Sequence, residues 1–203
     1  MNISLFTLIA YLIGSIPFGL LIAKSKGIDI RTQGSGNIGA TNVLRVIGKR
    51  WGFFTLFLDL LKGFIPAFFF PLLLKQSTDW GVLFGIAAIL GHTFPVYLKF
   101  KGGKGVATSA GMLLGVAPAA MGVGFLAWGI CMLITRYVSL SSIFAAISIT
   151  ITIWIKEEYQ QNRLSQIILT LLAALVIWLH RTNIQRLLNG TENKINIKKE
   201  KNG

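Results

Sequence analysis

Apolar residues run almost unbroken over Ile3–Ala23, Gly52–Leu74, Trp80–Leu98, Val106–Thr135, Ile143–Ile155 and Leu164–Leu179, and polar and charged residues collect between these runs. Helices that are apolar all round suit a bilayer, whose hydrocarbon core of roughly 30 Å takes about 20 such residues to cross. As one helix, Val106–Thr135 would reach roughly 45 Å, too long for a single span. Gly115, Pro118, Gly122 and Gly124 interrupt its middle. The pattern therefore predicts two short helices joined by a tight turn near Pro118–Gly124. These halves and the short Ile143–Ile155 run require shelter from neighbouring helices or a locally thinned bilayer. The expectation is an all-α polytopic membrane protein of about seven transmembrane helices, with a five-helix arrangement of the same parity as the alternative.

Charge orients these spans. The first basic residue, Lys24, follows the first apolar run instead of preceding it, so the run reads as a span and not as a signal peptide. The positive-inside rule then puts the N-terminus outside and the C-terminus in the cytoplasm. With seven helices, every Lys and Arg except Lys62, Lys75, Lys156 and Arg163 falls on the inner face. The chain carries a net charge of +13, yet it is 53% hydrophobic and only 13% charged, with a mean hydropathy of +0.66. That balance excludes a soluble basic nucleic-acid binder, so no nucleic-acid partner is expected; the lipid bilayer is. No repeat or soluble domain interrupts the chain, and residues 1–203 read as one membrane domain with a basic tail from about residue 190. The single cysteine, Cys131, lies in an apolar stretch and reads as packing; it excludes an internal disulfide and a multi-cysteine zinc site.

The inner loops carry the candidate chemistry. In the first, Arg31–Arg45, Gly34, Gly36 and Gly39 let backbone approach a ligand, and Ser35, Asn37, Thr41 and Asn42 supply small polar groups. Such a loop can aim several N–H donors at one anion. Gly34–Gly39 also fits G-x-G-x-x-G, but a loop between membrane helices cannot hold the βαβ unit that a dinucleotide fold needs. In the second, Gly102, Gly103 and Gly105 surround Lys104 and open into a helix, combining flexible backbone, a cation and a helix N-terminus as a phosphate cradle. It is not a Walker A loop: Leu98 stands where the first glycine would be, and Gly105 where Ser or Thr would hold magnesium. A glycine turn with topogenic lysines is the plainer alternative. The third segment joins Arg136 to Ser139, Ser141 and Ser142, hydroxyls that could instead cap the next helix. The fourth places His180 and Asn183 at i, i+3, with Arg186 and Glu192 beyond; an interfacial helix with snorkelling side chains is its alternative.

Four inner segments that each bring a cation together with glycine or hydroxyl donors suggest a place for more than one phosphate group beside lipid. Inner-face carboxylates are confined to Asp29, Glu192 and Glu200, which supports neither a paired acid/base site nor a metal site. Asp59 and Lys62 stand within a span at i, i+3, where an ion pair holding the helix bundle is the expected role. His92, near the inner end of its helix, is either a buried hydrogen-bonding residue or part of the site.

The motifs Gly34–Arg45, Gly91–Ala107 and Arg136–Ser142, with His180–Glu192 and the pair Asp59 and Lys62, resemble the bacterial membrane-integral acyl-phosphate:glycerol-3-phosphate acyltransferase family over about residues 5–195. The resemblance implies transfer of a fatty acyl group from acyl phosphate to the 1-hydroxyl of sn-glycerol 3-phosphate. The products would be lysophosphatidic acid and phosphate, in the first acylation of phospholipid synthesis. It further implies a multi-pass protein of the bacterial cytoplasmic membrane, with its site on the cytoplasmic face and no cofactor. Tyr97 stands five residues after His92 and Gln185 five after His180, so neither histidine has the aspartate of the His-x-x-x-x-Asp acyltransferases.

The candidate catalytic residues are Ser35, Asn37, Lys104 and His180. The candidate substrate-binding residues are Gly36, Gly39, Thr41, Asn42, Arg45, His92, Gly102, Gly103, Gly105, Arg136, Ser139, Ser142, Asn183, Arg186 and Glu192. Ser35, Asn37, Gly39, Thr41 and the Gly102–Gly103 backbone are assigned to acyl phosphate. Arg45, Lys104, Ser142, His180 and Asn183 are assigned to glycerol 3-phosphate. Acyl phosphate carries its own leaving group, and no nucleophile–base–orienter triad is visible, so direct attack by the hydroxyl is expected. Its proton goes to His180, His92 or the donor's phosphate; the surrounding cations favour the phosphate. A transporter for an organic phosphate and a lipid-binding structural protein are the alternatives from other classes. The sequence sets no oligomeric state and is compatible with a monomer.

Overall fold

Asn2 starts the first helix by accepting the Ser4 N–H at 3.0 Å, and α1 runs Ile3–Ser15. Pro17 then holds Ile16 extended and breaks the apolar run, which resumes as α2, Phe18–Lys24. The computed structural model describes residues 2–156, 159 and 162–195. Lys198, Lys199 and Lys201 of the basic tail, and Glu200, lie outside the described residues. Within the described residues all regular elements are helical. They fall into two units, Met1–Pro118 and Ala119–Gly203.

The first unit is organised on α4, Lys49–Leu74. Its buried positions Thr55, Asp59, Lys62, Pro66 and Phe70 recur every three or four residues and form one face. Phe53, Phe57, Phe69 and Leu73 on other sides are exposed, as lipid-facing residues are. α5 spans Trp80–Thr93 and α6 spans Val106–Val116. Small residues bring these backbones together: a Cβ on Gly63 would strike the Thr108 carbonyl, and one on Gly111 the Leu60 carbonyl. Gly14 of α1 meets Ala88 of α5 in the same way. Close backbone approach at glycine is the usual basis of helix packing in a bilayer, where apolar burial drives nothing.

The segment between the first two spans, expected as a long loop, is folded. A short helix α3, Ala40–Val46, closes a core of Leu20, Ile22, Ala23, Ile30, Ile38 and Val43. α4 begins at Lys49, a turn before the predicted run.

The second unit contains α7, Pro118–Thr135; α8, Val138–Ile155; α9, Arg163–Leu179; and α10, Arg181–Leu188. The long run breaks at Ala117, immediately before Pro118. Gly122 and Gly124 lie inside α7 and take no part in the turn; a Cβ on Gly124 would strike Ile149, so this glycine serves packing against α8. α8 begins at Val138 and is longer than Ile143–Ile155. α8 and α9 are tied by Gln166 Nε2 donating to the Ile153 carbonyl at 3.0 Å and Trp154 Nε1 donating to Thr170 Oγ1 at 2.9 Å.

Five described helices or helix pairs are long and apolar enough to cross a membrane: Ile3–Lys24, Lys49–Leu74, Trp80–Leu98, Pro118–Thr135 and Val138–Ile155. A sixth results if α9 and α10, bent by 51°, make one span. Val106–Val116 is apolar but shorter.

Candidate functional site

The first glycine loop is shaped by Asn42, which is 1% exposed. Its Oδ1 accepts the Ser35 N–H at 2.9 Å, and its Nδ2 donates to the carbonyls of Asn37 at 2.9 Å, Gln33 at 3.0 Å and Ile30 at 3.2 Å. Asn42 is therefore engaged with loop backbone on both ends of its amide, and it holds the loop. Gly34 has φ +60, and a Cβ there would strike Asn42 Oδ1, so glycine is required for the loop to wrap this side chain. Asn37 turns back on its own segment, Oδ1 accepting the Gly39 N–H at 3.3 Å. Ser35 and Gly36 are exposed on the loop, and Gly39 precedes α3. Thr41 and Arg45, four apart on α3, share a face. Asp29 is occupied by Arg31, whose Nε and Nη2 donate at 2.9 and 2.8 Å and hold the carboxyl down at about 2.

The second loop rests on the end of α5. Gly102 N–H donates to the Thr93 carbonyl at 3.1 Å, and Gly103 N–H to the His92 carbonyl at 3.0 Å. These two amides, expected to cradle a phosphate, are thus engaged within the protein. They anchor the loop, so that Gly105, in a left-handed conformation at φ +75, turns the chain into α6. No side chain caps the α6 amides. Half-buried Lys104 directly precedes this N-terminus, so a cation and a row of helix N–H donors occur together. Sequence reasoning overlooked Thr93 and Ser109, whose buried hydroxyls flank Gly105 and make no hydrogen bond among the described residues. For Ser109, a hydroxyl in the first turn of a helix that follows a glycine loop was the available signal.

His92 is buried, with Nδ1 3.8 Å from Asp59 Oδ1 and Nε2 against Gly103. Asp59 Oδ1 pairs with Lys62 Nζ at 2.9 Å, and Lys62 also donates to the Ile16 carbonyl at 3.0 Å. The ion pair expected within the span is present, and it reaches the α1–α2 break as well as His92.

In the second unit, Glu192 gathers three of the candidate residues. Ser139 Oγ donates to Oε1 at 2.8 Å, Asn183 Nδ2 to Oε1 at 2.6 Å and Arg186 Nε to Oε2 at 2.7 Å. Partial burial opposes ionisation of Glu192, but these hydrogen bonds outweigh it and hold the carboxyl below its ordinary range. Ser142 Oγ donates to the Val138 carbonyl one turn back at 2.9 Å. Ser139 and Ser142 thus lie inside α8 and do not cap it, a difference that follows from the earlier helix start. Arg136 is exposed at φ +62, its carbonyl accepting the Ile195 N–H at 3.0 Å. His180 is buried at the α9–α10 bend, and Nδ1 lies 2.8 Å from the Val176 carbonyl. A carbonyl only accepts, so Nδ1 carries a proton, and any base function belongs to Nε2.

Each unit therefore holds donors and cations suited to a phosphate. Of the carboxylates expected on the inner face, Asp29 and Glu192 are both engaged by arginine.

Known proteins resemble this chain in sequence and in fold. The sequence profile of a family described as glycerol-3-phosphate acyltransferase matches residues 4–190. A glycerol-3-phosphate acyltransferase of Aquifex aeolicus is 48% identical over 91% of this chain and 95% of its own. One from Bacillus velezensis is 45% identical over 96% and 98%. The crystal structure of PlsY (YgiH), an integral membrane glycerol 3-phosphate acyltransferase, is similar in its glycerol 3-phosphate form with a TM-score of 0.89 at 43% identity, covering 96% of both chains. Its lysophosphatidic acid form has a TM-score of 0.86, covering 96% of this chain and 95% of that one.

Proposed function

Because this chain belongs to the glycerol-3-phosphate acyltransferase family, we propose that it acylates the 1-hydroxyl of sn-glycerol 3-phosphate from acyl phosphate, releasing lysophosphatidic acid and phosphate. The observation that carries the reading is the α6 N-terminus fronted by Lys104 on a loop pinned to α5. The solved relative's glycerol 3-phosphate and lysophosphatidic acid forms supply the substrate and product classes.

The chemistry needs little beyond placement and charge. The hydroxyl oxygen attacks the acyl carbonyl carbon, the C–O bond to phosphate breaks, and the departing phosphate accepts the hydroxyl proton. Lys104 and the α6 amides stabilise charge on a phosphate and on the carbonyl oxygen as it becomes tetrahedral. Ser35, Asn37 and Thr41 position the donor, and Arg45 supplies a further cation. Asn42 and Glu192 act one step back, each holding the groups around it. No acyl-enzyme is required.

The same reading makes residues 1–203 one catalytic domain, crossing a bacterial cytoplasmic membrane seven times with the N-terminus outside. Val106–Val116 then counts as a short span sheltered by α4 and α5. The basic loops face the cytoplasm, where glycerol 3-phosphate is met. A cysteine introduced at Ser77, between α4 and α5, should label from outside the cell; labelling only after the membrane is opened contradicts this topology.

Purified protein given acyl phosphate and glycerol 3-phosphate in detergent should form lysophosphatidic acid. No product, with uptake of glycerol 3-phosphate into liposomes instead, would assign the basic residues to transport.

A further inference from the structure

The reaction does not use the most expensive feature of the first unit. Asp59 and Lys62 are 2% and 3% exposed in the middle of α4. Desolvation opposes the burial of two charges before their attraction is counted, and apolar residues would pack a helix without that penalty. Their contacts indicate what they serve. Lys62 Nζ forms an ion pair with Asp59 Oδ1 at 2.9 Å and donates to the Ile16 carbonyl at 3.0 Å, which fixes the pair against the α1–α2 break. The same Asp59 oxygen faces His92 Nδ1 at 3.8 Å. The opposite edge of the imidazole, at Nε2, lies so close under Gly103 that a Cβ there would strike it. The His92 carbonyl meanwhile accepts the Gly103 N–H at 3.0 Å. Gly103 immediately precedes Lys104 and the start of α6.

We propose that Asp59, Lys62 and His92 are positioning residues, a buried polar strut running from the α1–α2 break to Gly103 that sets where Lys104 and the α6 N-terminus stand. Asp59 Oδ1 lies 3.8 Å from Nδ1, so the Nδ1 edge of the ring faces α4 and the Nε2 edge faces the loop. His92 then supports Gly103 twice, by its ring from below and by its carbonyl from the side. Buried between α4 and the loop, His92 is a support and not the base. This rests on the acyl transfer proposed above, since Lys104 matters through that reaction.

Two variants test it. Asp59→Asn with Lys62→Gln removes both charges together, so neither ion is left unpaired. His92→Asn leaves the ion pair intact and keeps an N–H near the Nδ1 position, but removes the ring edge beneath Gly103. For each, kcat and KM for glycerol 3-phosphate are measured beside hydrogen exchange of peptides across the described helices. Both variants should lose about tenfold or more in kcat/KM, with faster exchange concentrated in residues 99–108. Should the double variant fail to fold, His92→Asn decides alone. Wild-type kcat/KM and exchange in His92→Asn overturn the proposal, as does exchange raised evenly across α4, α5 and α6, the result of a packing role. Were the wild-type protein to make no lysophosphatidic acid, the proposed function would fail, and the exchange measurement would still report whether His92 holds the loop.

Discussion

Asn42 Oδ1 accepts the Ser35 backbone N–H at 2.9 Å across the first glycine loop. The other end of the amide bonds three carbonyls of the same loop, so this one buried side chain determines where Ser35 and Asn37 stand. Asn42→Asp would put acceptors where Nδ2 donates. Leaving buried carbonyls unsatisfied costs about 1–3 kcal/mol each. The expected outcome is at least a hundredfold lower kcat/KM, roughly 2.7 kcal/mol, measured as acyl transfer by purified protein.

Lys104 should behave differently, because the role proposed for it is charge at the reacting groups. Lys104→Met is expected to lower kcat by about 10²–10³-fold, the range for removing one donor to a developing oxyanion. The thermal transition in detergent should change little. A large loss of stability with normal turnover of the folded fraction would assign Lys104 to structure.

Gly103→Ala introduces a methyl into His92 Nε2, and Gly102→Ala one into the His92 carbonyl. Ring and backbone cannot both yield, so the loop must move. Both variants should raise KM for glycerol 3-phosphate and lower kcat together; a normal KM would show that the loop does not set the binding geometry.

Glu192 makes stability depend on pH. Its carboxyl is held below the ordinary value of 4.5, so the folded protein favours the charged form more than the unfolded chain does. That stability is fully present above about pH 4.5 and is lost as pH falls through the lower folded value. Thermal unfolding in detergent from pH 7 to pH 4 should fall more steeply for wild type than for Glu192→Gln. Parallel curves would contradict the assignment.

If the departing phosphate takes the proton, neither histidine is the base. His180→Ala should lose less than about 10²-fold in kcat, below the roughly 10²–10⁴-fold credited to a general base. A larger loss with unchanged KM and an altered pH profile would restore His180 Nε2 as the base.

Legibility followed the physics of each element. The all-helical membrane character was readable because apolar runs of span length have few other uses, and Pro118 marked the one break in Val106–Thr135. Pro17 carried the same signal within Ile3–Ala23, yet the run as a whole masked it. The start of α8 was misplaced because Ser139, Ser141 and Ser142 look like loop; two of them donate to carbonyls one turn back and the other to Glu192, so a helix tolerates them. The two glycine loops themselves were legible from composition. The supporting roles were not: that Asn42 and Glu192 hold other groups, and that Gly102 and Gly103 spend their amides on α5, depends on contacts far apart in sequence. Asp59 and Lys62 were recognisable as a pair from their spacing, but their contacts with Ile16 and His92 arise only from packing.

The central claim is the donor. One preparation in detergent is given glycerol 3-phosphate with acyl phosphate, acyl-CoA or acyl-carrier protein of the same chain length, and lysophosphatidic acid is quantified. The account predicts product from acyl phosphate alone. Product from acyl-CoA or acyl-carrier protein, with none from acyl phosphate, would contradict it.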